Sequence, residues 1–120
     1  MPIETERLES GLYLNRWQGD ITLDEIHASE TQGAALMQQH GEEKVVLVND
    51  LTDIRKVPMD LKALRRVVEN NPQVVALLVV NAPSMMQMYG QAQAQTVPWI
   101  IDFFDTMDEA LSRGRDLLAQ

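Results

Sequence analysis

Two stretches, KVVLVND (44–50) and QVVALLVV (73–80), decide the architecture. Each is a β-branched, almost wholly apolar run without the alternation of a half-solvated strand, as a strand covered on both faces requires. From Lys44 to Asn49 and from Gln73 to Val80 the reading is therefore buried strand. Between them, Asp50 to Met59 reads as a loop, after which Leu61, Leu64 and Val68 recur at helical spacing until Asn70-Asn71-Pro72 stops the helix.

Upstream, Ile3 to Leu8 and Leu12 to Trp17 read as a hairpin turning at Glu9-Ser10-Gly11. Thr22 and Glu25 form a capping box, so a helix runs from about Leu23 to His40 and ends at Gly41. Downstream, Ser84 and Gln87 make a second such pair, opening a helix to about Gln95 whose Met85, Met88, Tyr89 and Ala92 share the face expected to pack on the core, with Gly90 weakening its interior. Val97 to Phe104 reads as a strand, at a sheet edge because Pro98 and Asp102 share a face. Thr106 and Glu109 cap a final helix that turns Met107, Ala110, Leu111 and Leu118 to the sheet.

Buried strands alternating with amphipathic helices imply right-handed crossovers. The fold class is α/β: a mostly parallel mixed sheet of four to five strands from successive βα units, with an N-terminal β-hairpin, expected as one domain over residues 1–120.

With 45% hydrophobic and 23% charged residues the composition is that of a globular protein. Ten basic against eighteen acidic residues leave a net charge of −8, which disfavours a nucleic-acid partner. The absence of cysteine removes disulfides, thiolate metal sites and thiol nucleophiles. His27 and His40 have no ligand partner at metal-binding spacing, so neither a metal nor a cofactor is expected. No apolar run is long enough for a membrane span, and the polar start MPIETERLES lacks the features of a signal peptide, so a cytoplasmic location is the expectation.

NRWQGDITLDEI (15–26), VVLVNDLTDI (45–54) and FFDTMDEAL (103–111), in this succession of elements, resemble the SpoIIAA-like branch of the STAS superfamily, also described as STAS/Sec14-like domains. The resemblance spans most of the chain and implies a non-catalytic regulatory module that binds a protein partner. In anti-sigma-factor antagonists of that superfamily, an Asp-Ser-Ser-Gly type motif follows the second of these strands and carries a phosphorylatable Ser. Here the stretch is IRKVPMDLKAL (54–64), with no Ser or Gly, and Asp60 stands about where the Ser would be.

Ligands of open α/β sheets meet the carboxyl ends of parallel strands. That rule nominates Asn49, Asp50, Thr52 and Asp53 after one strand, Asn81 and Ser84 after the next, and Asp20 after the first, although these residue types also serve simply as turn and cap residues. Five of the ten basic residues, Arg55, Lys56, Lys62, Arg65 and Arg66, fall between positions 55 and 66. A basic patch there, with Asp60, would suit an acidic protein partner or an anionic ligand; an ordinary solvated helix face is the alternative.

Three readings of function stand side by side. The first is partner docking through residues 50–66. The second is a carrier or sensor of a small apolar or lipid-like ligand, for which Met85, Met86, Met88 and Tyr89 offer a flexible surface. The third is an enzyme with Asp50 or Glu30 as general base; Glu30 lies close to the apolar stripe of the first helix, near His27, but the sequence supplies no accompanying nucleophile or cofactor. Bulky apolar residues on both faces of 97–104 further predict a homodimer that buries this strand or the Met-rich helix, unless that helix covers the strand within one chain.

Overall fold

In the computed structural model, residues 2–58, 65–66 and 69–120 are described. The described elements are β1 (Ile3–Glu9), β2 (Leu12–Asp20), α1 (Leu23–Gln39), β3 (Val45–Lys56), β4 (Val74–Val80), α2 (Ser84–Ala94), β5 (Ile100–Phe104) and α3 (Met107–Ala119), and residues 65, 66, 69 and 70 are helical. The five strands form one sheet in the order β1-β2-β3-β4-β5. The β1–β2 pair is an antiparallel hairpin and every later pairing is parallel, so the sheet is mixed as expected.

The hairpin turns where a side chain cannot go. Gly11 has φ +78°, and a Cβ there would run into the Lys44 carbonyl. That close approach lets the Gly11 carbonyl accept from the Val46 N–H at 2.8 Å, while its own N–H donates to Glu42 Oε2 at 2.6 Å.

Alternation along the strands sorts the core into two sides. On one side Leu12, Leu14, Val46, Val48, Ala76, Leu78 and Val80 are buried beneath α3, which contributes Ala110 and Leu117 with Met107, Leu111 and Leu118 beside them. Gly114 brings α3 close, since a Cβ there would stand 3.0 Å from Leu12 Cδ1. On the other side Tyr13, Trp17, Val45, Leu47, Leu51, Leu77 and Val79 meet Ile26 and Met37 of α1 and Met86 of α2.

Both expected caps on α1 and α3 form. Thr22 Oγ1 accepts from the Glu25 N–H at 3.2 Å with the Glu25 side chain returning to the Thr22 N–H, and Thr106 Oγ1 accepts from the Glu109 N–H at 3.2 Å.

Four expectations need correction. Asp50 to Lys56 is strand, not loop: β3 outruns β4, whose pairing with it ends at Asp50↔Val80, and stays paired to β2 as far as Asp20↔Lys56 across two irregularities in register. The buried Leu51 and the packing of Ile54 and Val57 against the core hold this extension down. The last strand is shorter, Ile100–Phe104, and pairs with β4 as an edge strand. Ser84 does not cap α2: Pro83 occupies that position without a side-chain bond, and Gln87 Nε2 instead donates to the Ala82 carbonyl at 2.9 Å. Finally, α2 packs through Met86 and Gly90, leaving Met85, Met88 and Tyr89 in solvent. Gly90 sets this orientation, because any side chain there would overlap the Phe103 ring; the glycine permits close packing on β5.

Candidate functional site

Where β4 ends and β3 runs on beyond it, the two carry a string of polar side chains fixed by one another. Asp50 Oδ1 accepts from the Thr52 N–H at 3.0 Å and from the Thr52 hydroxyl, and Thr52 Oγ1 accepts from Asn81 Nδ2 at 2.8 Å. Asn81 holds its place in the left-handed region, φ +56°, with its N–H donating to the Phe104 carbonyl at 2.9 Å. Carboxamide side chains tolerate that region better than most. Thr52 and Asn81 are exposed and Asp50 half-buried, with Asp53 and Lys56 exposed further along the β3 extension and Ser84 exposed at the start of α2. Sequence reasoning thus nominated residues that the fold brings together in Asp50, Thr52 and Asn81.

It did not anticipate the direction of Asn49. This carboxamide is 4% exposed and faces the α1 side of the sheet, where its Oδ1 accepts from Asn15 Nδ2 at 3.0 Å and Trp17 Nε1 at 3.3 Å. Asn15 Oδ1 in turn accepts from the Thr5 hydroxyl at 2.8 Å. Asn49 ties β3 to β2 inside the core, with Asn15 carrying the chain of bonds on to Thr5 of β1; the only hint in the sequence is one carboxamide closing an apolar run.

The basic cluster is largely matched by acids. Arg55 grips Asp20 through two bonds, Nε to Oδ1 at 2.8 Å and Nη2 to Oδ2 at 2.9 Å, which holds the Asp20 carboxyl below the usual range. Arg65 pairs with Glu69 at 3.0 Å. Arg66 donates to the His27 ring at 3.0 Å and lies 3.8 Å from Glu30 Oε2. Asp60 and Lys62 lie outside the described residues. The patch read from sequence as basic is therefore, at Arg55, Arg65 and Arg66, a set of ion pairs.

Beneath it lies a cavity of about 50 Å³ with almost wholly apolar walls, framed by Trp17, Leu51, Val79, Met86, Trp99 and Phe103. A second, of about 40 Å³, shares Trp17, Asn49, Ile26 and Leu77 with the first and continues under α1 to Ser29, Glu30 and Tyr13. Two groups in its walls have no hydrogen-bond partner among the described residues. Glu30 Oε1 is buried without a hydrogen bond, and burial raises the Glu30 carboxyl although Arg66 and His27 pull the other way. The Tyr13 hydroxyl is likewise buried and unbonded, and burial, with the Glu42 charge, raises it.

Glu42 is the opposite case. Burial alone would raise its carboxyl, but the Arg7 guanidinium at 3.1 Å and the Gly11 N–H hold it below the ordinary range. Among the described residues no three His, Asp or Glu side chains converge as metal ligands would, and no helix is long and apolar enough to cross a membrane.

By sequence the chain matches no family model and no curated protein. By structure it superimposes over nearly its whole length on an uncharacterized protein of the DUF3478 family from Shewanella loihica PV-4, described as having a SpoIIAA-like fold, with a TM-score of 0.67 at 14% identity over 93% of this chain and 91% of that one. The chain has a SpoIIAA-like fold. Bacillus SpoIIAA, the cell fate determinant, in its phosphorylated form gives 0.65 at 14% identity, covering 92% of this chain and 97% of its own. The anti-sigma factor antagonist SpoIIAA in its unphosphorylated form gives 0.64 at 14%, covering 94% and 97%.

Proposed function

We propose that this chain is a non-catalytic, SpoIIAA-like regulatory module that docks a protein partner at the carboxyl end of β4 and the part of β3 that runs on beyond it. The observation that supports this reading is the Asp50–Thr52–Asn81 string, three exposed or half-exposed side chains already locked in place at the open end of the sheet. Pre-ordered groups bind without a further loss of side-chain entropy, which favours recognition at such a surface. The fold it shares with an anti-sigma factor antagonist agrees with this role. The chemistry differs from a simple basic patch: with Arg55, Arg65 and Arg66 engaged by Asp20, Glu69 and Glu30, the surface offers alternating acceptors and donors, and the partner is chosen by hydrogen-bond geometry more than by net charge. A switch at this surface would not use a Ser in the 54–64 stretch, which contains none.

The test is quantitative affinity capture from the native host with wild type, Thr52→Arg and Asp53→Lys, folding being checked by circular dichroism. A partner retained by wild type and lost by Thr52→Arg is expected. An unchanged partner set in both folded variants overturns the docking surface.

The apolar cavity supports a second, narrower reading, a sensor of a small apolar molecule. Volume decides its limits: an apolar cavity of about 150 Å³ holds benzene, whereas this one measures about 50 Å³. A full acyl chain would have to displace core side chains, so a lipid carrier fits the observed packing poorly.

A further inference from the structure

Helix α2 has two apolar faces where packing on its own sheet uses one. Met86 and Gly90 press on Phe103 and the core. The opposite stripe, Met85, Met88, Tyr89 and Ala92, follows the i, i+3, i+4, i+7 spacing of a buried seam, yet Met85 is 59% exposed, Met88 68% and Tyr89 52%. A surface helix ordinarily turns such a stripe inward and a polar one outward. Here none of the described residues covers it.

An independent feature says what does. From Asn81 to Ile101 there is no charged residue, in a chain whose net charge is −8. A basic partner would be drawn to the acidic remainder of the surface and gains nothing from a neutral stripe. Two copies of this chain, by contrast, repel one another wherever their charged surfaces meet, and approach with least opposition through the segment that carries none. Methionine supplies the rest: its flexible, polarizable side chain packs against its own kind and against an aromatic ring.

We propose that the outer stripe of α2 packs against the same stripe of a second copy, antiparallel about a two-fold axis passing near Met88 and Tyr89. An eleven-residue helix is about 16 Å long, too short to bury the roughly 800 Å² per partner of a standard interface. The dimer is therefore weak and reversible, forming in the micromolar to sub-millimolar range. Because it opposes self-repulsion, salt strengthens it.

Sedimentation equilibrium of the full chain over that concentration range, at low and high sodium chloride, tests the proposal. The average mass of wild type is expected to rise from 13.6 kDa towards twice that value, and to rise earlier at high salt. The double variant Met88→Glu/Tyr89→Glu should stay at the monomer mass throughout. Gln38→Glu/Gln39→Glu, which adds the same charge on α1, should still dimerise. A wild-type mass that never rises, a dimer that survives Met88→Glu/Tyr89→Glu, or a dimer that salt dissociates would each overturn it.

Discussion

The two sides of the sheet are built to different standards. Beneath α3, Thr106 caps the helix start, Gly114 lets the helix settle onto Leu12 and Val46, and the wall of Leu12, Val46, Val48, Leu78 and Val80 is almost wholly buried. Beneath α1 and α2 lie two adjoining cavities, a buried carboxamide and polar atoms of Tyr13, Glu30 and Trp99 that have no hydrogen-bond partner among the described residues. One helix of simple periodicity can be fitted closely to one wall. Two elements meeting over a wall that also carries Asn15, Trp17 and Asn49 leave gaps, and gaps are where a protein can respond to something.

That contrast predicts that truncation costs more on the α3 side. Leu78→Ala is expected to lose about 3–4 kcal/mol, within the range for a buried leucine that leaves a rigid void, and Met86→Ala nearer 2 kcal/mol, because it enlarges a space already present. Urea denaturation of both variants measures this. Equal losses would mean that the cavity side is as tightly packed as the other.

A smaller effect separates two carboxylates on the looser side. Glu42→Gln should cost about 1–3 kcal/mol, since the side chain is only 3% exposed and its bonds to Arg7 and Gly11 lose their charge. The folded-state pKa of Glu42 is depressed, so its contribution is present above the ordinary carboxylate range and is lost as pH falls through the folded value. Thermal melts from neutral to acid pH should accordingly show a shallower acid loss in Glu42→Gln than in wild type. Parallel curves would remove Glu42 as the cause.

For Glu30 the sign reverses and the size shrinks. Its folded pKa is raised, so its stabilising contribution belongs to low pH and disappears as pH climbs through the folded value, leaving at neutrality a charge with one unbonded oxygen. Glu30→Gln should change stability at neutral pH by less than about 1 kcal/mol, in the stabilising direction, the lost attraction to Arg66 offsetting part of the relief. A clear destabilisation would show that the Arg66 pairing outweighs the burial.

Much of this plan was legible in the order of residues. KVVLVN and QVVALLVV announce buried parallel strands because no polar face interrupts them, and Thr22/Glu25 and Thr106/Glu109 mark helix starts because the capping geometry needs only residues three apart. The face of α2 was not legible: spacing favours 85/88/89/92, and only the encounter of Gly90 with Phe103, thirteen residues away, turns the helix over. The β3 extension escaped for a similar reason, since LTDIRK is polar and reads as loop until Asp20 of β2 meets Lys56 and Arg55 across the sheet. The candidate site was half visible. Asx and Thr residues after a strand point to the right end of the sheet, while their ordering, and the pairing of Arg55 with Asp20 and of Arg66 with Glu30, acids distant in sequence, are products of the fold.

The strand order carries a consequence for how the molecule comes into being. Each strand pairs with the one made just before it, so none is inserted between two already joined, and the sheet can grow along one border in the direction of synthesis. The helix that covers the buried wall, however, is the last of the described elements to emerge. Until Met107–Ala119 has left the ribosome, Leu12, Val46, Leu78 and their neighbours form a bare apolar sheet surface, and the nascent chain passes through a stage in which its best-packed side is its most adhesive.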